Sequence, residues 1–331
     1  MKKDIAEMQF NSAKEDDRRR AATASVRADL AGTIARLLGN EDDLATTIPG
    51  LLIMRRHAPE PPASFVFEPS LSMIVQGSKR VLLGDAAYRY NESRFLLTTV
   101  NLPTIAQVLE ASPERPYISA LLKLDLVAAK KMIADIDLAD PDAAPNGSGM
   151  ATAPAGPELF DALARLIRLL DSPTDIPILG ALIQREILYR VLTGPAGGRL
   201  RQIVHLGTQG NRIARAIAWL RDNYARPLRI GVLADVTGMG VSTLHHHFRL
   251  MTAMSPLQFQ KHLRLHEARR LMLSEELDAG NAALRVGYES ATQFSREYRR
   301  LFGAPPMRDV KTLRLNHAVQ PPDAARAAAQ S

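Results

Sequence analysis

The chain has 331 residues, 46% of them apolar and 23% charged, with a formal charge of +7 and no cysteine. That length corresponds to about two domains of roughly 100–200 residues each, and the composition is that of a globular chain rather than a disordered one. Lack of cysteine excludes disulfides, thiolate nucleophiles, iron–sulfur clusters and cysteine zinc fingers, and no apolar run approaches the ~18 residues that cross a bilayer. The polar start Met1-Lys2-Lys3-Asp4 is unlike a secretory leader, so the expected setting is cytoplasmic, with no membrane partner.

The charge is unevenly divided. Residues 1–198 carry 22 Lys and Arg against 25 Asp and Glu, residues 199–315 carry 19 against 9, and residues 316–331 carry one of each. The basic excess is confined to one third of the chain, which fits either a polyanion partner for that third or a solvated basic surface.

In chain order, residues 1–25 are charged and Ala-rich, with the run Glu15-Asp16-Asp17-Arg18-Arg19-Arg20, and are expected to be disordered or a frayed helix. Leu30, Ile34, Leu37 and Leu38 recur at helical spacing, which predicts a helix over Val26–Leu38, stopped near Gly39-Asn40. From 48 to 126 the pattern changes to short apolar segments between turn residues. Strands are predicted at Leu51–Met54, Ser64–Phe67, Leu71–Gln76, Lys79–Leu83, Ala87–Tyr90, Phe95–Thr99, Thr104–Leu109 and Ile118–Leu124. That rhythm predicts an antiparallel sandwich or small barrel. Ala139–Pro157, rich in Ala, Pro, Gly, Asp and Ser, reads as a loop. Helices are predicted over Glu158–Leu170 and Pro177–Leu192. Their apolar stripes either cover the β domain's core or pair with a second copy of the chain. Gly194-Pro195 and Gly197-Gly198 mark the domain boundary. The expected organisation is therefore α+β: a domain at 26–198, an all-helical domain at 199–315, and disordered ends at 1–25 and 316–331.

Within the basic third two segments share a layout. Leu228–Arg249 and Asn281–Arg300 each hold a short helix with a central Ala, a turn with a Gly, and a second helix beginning near a serine, Ser242 or Ser290, placed to act as an N-cap. This is the helix-turn-helix pattern, present twice. The segment Pro256–Leu273, basic at Lys261, Arg264, Arg269 and Arg270, joins them. Two recognition helices about one turn of DNA apart (~34 Å) fit successive major grooves on one face of a duplex.

At these residues the chain resembles the AraC/XylS-type transcription regulators. The likeness rests on Leu263-Arg264-Leu265-His266-Glu267-Ala268-Arg269-Arg270-Leu271, on Val286-Gly287-Tyr288-Glu289-Ser290, and on Gln293-Phe294-Ser295-Arg296-Glu297-Tyr298-Arg299-Arg300-Leu301-Phe302-Gly303 followed by Pro305-Pro306. Gln76-Gly77-Ser78-Lys79-Arg80 and Ala111-Ser112-Pro113-Glu114-Arg115-Pro116-Tyr117 are similar to one N-terminal subtype of that family. The resemblance implies a cupin-like antiparallel β-barrel sensor, a dimerisation helix pair and a preference for activation. It implies as partners double-stranded DNA, a small-molecule effector, a second copy of the chain and RNA polymerase. His245-His246-His247 depart from the basic or amide residues more usual on the first recognition helix.

On that helix the i, i+3, i+4, i+7 spacing puts Ser242, His245, His246 and Arg249 on one face. The resemblance makes Ser242, His245 and His246 base readers, and Arg249 meets a phosphate. On the second helix the outward face is Ala291, Thr292, Ser295, Arg296 and Arg299. Ala291, Thr292 and Ser295 are candidate base readers, and Arg296 either forks onto guanine or meets a phosphate. Lys261, Arg299 and Arg300 are candidate phosphate contacts. An effector pocket in the barrel is expected to be mainly apolar, with Met73, Val75, Tyr88, Tyr90, Phe95, Leu97 and Gln107 as candidates, each of which reads more readily as plain core or surface. His262 and His266 stand i, i+4, a spacing seen in zinc sites, but without a third ligand they read as a solvated helix face. Residues 60–200 contain no histidine, so no catalytic residue, metal or cofactor is expected. Two other readings stay open: a cupin-type enzyme carrying a helical domain, and a DNA-binding architectural protein without a sensor.

Overall fold

The structure is a computed structural model that describes residues 22–136 and 147–318, with side chains to 315. Helix α1 (22–38) precedes strands β1 (Asp43–Ala45), β2 (Leu51–Arg56), β3 (Ala63–Phe67), β4 (Ser70–Gln76), β5 (Ser78–Leu83), β6 (Ala86–Asn91), β7 (Arg94–Thr98), β8 (Leu102–Glu110) and β9 (Tyr117–Lys123). Then come α2 (Leu126–Asp135), β10 (Met150–Pro154), α3 (Pro157–Arg168), α4 (Ala181–Thr193) and α5 (Gly197–Val204). The remainder is helical: α6 (Gln209–Asp222), α7 (Ile230–Thr237), α8 (Val241–Thr252), α9 (Pro256–Ser274), α10 (Ala279–Arg285), α11 (Ala291–Phe302) and α12 (Pro306–Ala318).

All eight predicted strands form, and they make a sandwich rather than a closed barrel. One antiparallel sheet runs β1-β2-β9-β4-β7-β10 and the other β3-β8-β5-β6. Closure fails at the β6–β7 corner. The free edge of β7 is taken by β10, with Met150 paired to Thr98 and Ala153 to Phe95, so β6 ends its own sheet. The predicted loop at Ala139–Pro157 therefore contains a strand; its residues 139–146 lie outside the described residues. The expectation of disorder at the termini falls mostly outside them as well. Residues 22–25 are helical, as are residues 316–318. Strand β1, helix α2 and helix α12 are additions that the sequence pattern did not announce.

The six-stranded sheet has two different faces. Leu51, Ile53, Leu71, Met73, Phe95, Leu97, Ile118, Ala120 and Leu122 face a helical layer made by α1, α3 and α4. Alternate residues on the same strands, among them Ser72, Ile74, Leu96, Tyr117 and Ser119, point into the sandwich, as period-2 strand geometry requires. Tyr90 Oη and Ser72 Oγ bridge that interior at 3.0 Å. The sandwich core continues without a break into the C-terminal helices. Ile74, Val81, Leu83, Leu96, Val100 and Leu102 share one apolar cluster with Ile213, Leu220, Leu233, Leu244, Phe248, Met251 and Phe259. Backbone contact is equally close, with Gly149 N–H donating to Met251 O at 2.8 Å. A Cβ placed on Gly84 would stand 2.6 Å from Ala253 Cβ, so only glycine lets the β5–β6 turn meet the end of α8.

Candidate functional site

In the first helix-turn-helix, α7 ends at Gly238 in the left-handed region (φ +65°), a conformation that costs glycine little. Leu233, Leu244 and Phe248 are buried between α6, α7 and α8, and Phe248 meets Phe259 of α9 edge-on at 5.4 Å. The expected cap is displaced. Gly240 is the N-cap of α8 and no side chain caps it, because the helix starts one residue before Ser242 and leaves that serine exposed on its first turn. In the second unit the expected cap forms, with Ser290 Oγ accepting from Gln293 N–H. Its turn is narrower still. Gly287 (φ +88°) lies so near the Ala225 carbonyl that a Cβ would overlap it.

Helix α9 starts on a capping box in which Ser255 and Gln258 satisfy each other's backbone N–H. Its cations are largely spent inside the protein. Arg264 donates to the carbonyls of Tyr224 at 2.7 Å and Gly287 at 2.8 Å, joining the end of α6 to the second turn. Arg269 forks onto Asp309 at 2.8 and 2.9 Å and lies over the Phe302 ring at 4.3 Å. Glu297 accepts from Lys261 at 3.0 Å, Tyr288 at 2.8 Å and Gln293 at 3.1 Å. Burial alone would push its carboxyl up, but these three donors outweigh burial and hold its pKa below the usual range. The two units are thus fixed to each other through polar bonds as well as through α9.

The predicted DNA-facing residues divide cleanly. Ser242, His245, His246 and Arg249 are all exposed on one face of α8, and His245, His246 and Arg249 line one shallow concavity with Leu250 and Ser255. Ala291, Thr292, Arg296, Arg299 and Arg300 are exposed on α11, and Ser295 is half-buried. Lys261 differs from these, being half-buried and paired with Glu297. The histidine pair on α9 is not a solvated face. His266 Nε2 lies 3.1 Å from Ser64 Oγ on β3, and its ring stands edge-on to Phe302 at 5.1 Å. Desolvation, then the nearby His262 and Arg269, lower its pKa to about 3, so the ring is neutral near pH 7. Among the described residues no three His, Asp or Glu side chains converge as metal ligands.

A cavity of about 420 Å³ opens between the sheets, within the size range of small-molecule sites. Its wall is apolar at Leu52, Met54, Phe65, Phe67, Val108 and Leu121 and charged at Asp43, Arg56, Glu60, Glu68, Lys79 and Lys123. Of the seven expected pocket residues only Gln107 lines it. Met73, Val75, Phe95 and Leu97 face the helical layer; Tyr90 and Tyr88 belong to the sandwich interior, bonded to Ser72 and Ser148. The alternation was legible but its phase was not, and a shift of one residue moves every side chain to the other face. Residues of the opposite phase, Leu52, Met54, Tyr117 and Leu121, reach the cavity.

Most charges on the wall are paired. Arg56 donates to Asp43 at 2.9 Å and to Glu60 at 2.7 Å, and Lys123 pairs with Glu68 at 2.6 Å. Lys79 forms no ion pair among the described residues, lies over the Phe67 ring at 5.6 Å, and has its pKa lowered to about 8 by desolvation, reinforced by Arg56. Tyr117 is fully buried on the same wall, its hydroxyl near Ser119, and desolvation pushes its pKa up.

Strand β3 connects the cavity with the helical domain. Ala63, Phe65 and Phe67 line the cavity, and Ser64 on the opposite face meets His266.

Comparison with known proteins agrees with this architecture. Residues 47–199 match the model of the AraC-type transcriptional regulator N-terminus, and residues 233–312 match a helix-turn-helix domain. The transcriptional activator RhaS of Escherichia coli is 30% identical over 107 residues, which are 32% of this chain and 38% of RhaS. ToxT of Vibrio cholerae O395, in a structure bound to (E)-4-(8-methylnaphthalen-1-yl)but-3-enoic acid, superposes with a TM-score of 0.55 at 12% identity over 79% of this chain and 99% of ToxT. That likeness is one of fold, and it spans both domains in the same order. The chain belongs to the AraC-type transcriptional regulators.

Proposed function

We propose that the protein binds double-stranded DNA sequence-specifically through α8 and α11, and that a small molecule in the sandwich cavity governs how those helices are presented. The observation that carries this reading is the pair of solvent-facing recognition surfaces held in fixed relation by Arg264, Glu297 and α9. In this reading Ser242, His245, His246, Ala291, Thr292, Ser295 and Arg296 meet bases, and Arg249, Arg299 and Arg300 meet phosphates. Lys261 is left out, because contact with a phosphate would break its pair with Glu297.

For a ligand to change DNA affinity it must favour one arrangement of the domains, and β3 supplies the link through Ser64 and His266. The exposed apolar residues Ile178, Leu179, Leu182 and Tyr189 support a homodimer through the α3–α4 layer. Activation through RNA polymerase is the regulatory outcome that the RhaS likeness favours, and the cytoplasm is the compartment such a protein requires. The test is a gel-shift titration of the full chain on the DNA flanking its own gene and on a scrambled duplex, at two salt concentrations. Strong preference with steep salt dependence supports the reading. Equal weak binding to both duplexes counts against it.

A further inference from the structure

We infer that His245 and His246 bind DNA as imidazolium cations, so that the α8 half of the site tightens as pH falls while the α11 half does not respond. This rests on the reading of α8 and α11 as the DNA-reading helices and concerns how one of them holds its site. The two exposed faces are built from different cations. On α8 the face carries His245, His246 and a single arginine, Arg249. On α11 it carries Arg296, Arg299 and Arg300 and no histidine. Arginine keeps its charge at every pH at which the fold survives, whereas histidine changes charge between about pH 5 and 8. The formal charge of the α8 face therefore rises from one to three as pH falls through that range, while that of α11 stays constant.

The surroundings of the two rings fit this role. Helix α8 holds no Asp or Glu. Among the described residues the concavity around the rings is completed by Arg249, Leu250 and Ser255, with no carboxylate. The titratable and charged neighbours on α8 itself are His247 and Arg249. His247 is half-buried, and its pKa is lowered by desolvation and then by His246. The elements packed on α8 meet its other face with apolar side chains, Ile213 and Leu220 of α6, Leu233 of α7 and Phe259 of α9. None of these groups is negative, and Arg249 opposes a further positive charge beside it. DNA supplies the missing counter-charge, so binding carries protons with it. An imidazolium donates from both nitrogens, which suits the N7 and O6 acceptors of guanine or a pair of phosphate oxygens, whereas a neutral ring has one donor.

The test is fluorescence-anisotropy titration of the full chain at about pH 6, 7 and 8 and several salt concentrations, on a duplex enriched from a random pool and on a scrambled one. The expected result is at least about tenfold tighter binding at pH 6 than at pH 8. Salt dependence is also steeper at pH 6, by about one released ion per added charge. The sign is diagnostic, because acid loosening of the fold through His262 and His266 weakens binding instead. His245→Gln combined with His246→Gln keeps hydrogen-bonding groups at both exposed positions and abolishes the pH dependence. Arg296→Ala weakens binding at every pH and leaves the dependence in place. Dependence confined to the enriched duplex assigns the protons to guanine edges, and equal dependence on the scrambled duplex assigns them to phosphates. Specific binding without tightening in acid, or tightening that survives the double substitution, overturns the inference and leaves the DNA reading standing. No preference between the duplexes at any pH overturns the sequence-specific reading, and the inference survives that result only where acid tightens binding and the double substitution removes the effect.

Discussion

Single residues decide what each recognition helix can do. Arg296 is exposed on α11, and its two roles are separable. If it reads a base, Arg296→Ala weakens binding to the specific site by about 1–3 kcal/mol and relaxes preference at one base pair. A uniform loss on specific and random duplexes, measured by competition gel shift, marks it instead as a phosphate contact. Glu297, three residues before Arg300 on the same helix, works inward. Glu297→Ala leaves the Lys261 ammonium and the Tyr288 hydroxyl without their acceptor and is expected to lower stability by about 1–3 kcal/mol, read from urea denaturation. Unchanged stability would mean that the two donors find water at no cost.

Elements carry contacts from one domain to the other. Strand β3 touches the cavity with one face and α9 with the other, and the polar contact on the second face is Ser64 with His266. The folded pKa of His266 is about 3, below the ~6.5 of a histidine in the unfolded chain. Between those values the unfolded chain binds a proton that the folded chain refuses. Stability is therefore full above ~pH 6.5 and is lost as pH falls toward 3. Lowered values at His262 and His247, both through desolvation first, add to the same slope. His266→Gln keeps a polar group for Ser64 and should flatten the fall in melting temperature between pH 7 and pH 5; an unaltered slope would place the titration elsewhere.

Elements also show what could be read from sequence. Each of the eight strands was bounded by its turn residues, as at Gly84-Asp85 and Asn91-Glu92, because those residues act locally. Face assignment was harder. Met73 and Phe95 are as apolar as Leu52 and Leu121, and with helices on one face of the sheet and a second sheet on the other, both faces are buried and hydropathy loses its phase. The exposed positions of the two helices were legible for the opposite reason. One side of α8 and of α11 is solvent-facing, so Leu244, Phe248, Phe294 and Tyr298 mark the inner side without ambiguity. Strand β10 was missed because it is a short edge strand, Met150–Pro154, that follows a Gly- and Pro-rich stretch and ends on a proline. The pairing of Lys261 was not legible because its partner Glu297 lies 36 residues away, beyond any local pattern.

At the scale of the molecule, the N-terminal sandwich and the first helix-turn-helix share one apolar core. Their interface is tight at Gly84 and Gly149, where added Cβ atoms would stand 2.6 Å from Ala253 and 3.3 Å from Met251. Gly84→Val should push the β5–β6 turn away from α8, leaving DNA binding intact but uncoupled from any cavity ligand; gel shifts with and without ligand would show it, and retained coupling would exclude this contact as the route. Leu182, 59% exposed on α4, tests the assembly. Leu182→Glu should convert a dimer to a monomer in analytical ultracentrifugation and lower DNA affinity through lost avidity, whereas an unchanged sedimentation coefficient would remove this face from the assembly.

The central claim is that α8 and α11 of one chain read DNA together. The most direct measurement is hydroxyl-radical footprinting of the full chain on duplexes that it enriches from a random pool. Two protected blocks on one face of the DNA, about one helical turn apart, are the predicted result, with Arg296→Ala weakening one block and His245→Ala the other. A single protected block that only one of these substitutions affects, or no enrichment over the starting pool, would contradict it.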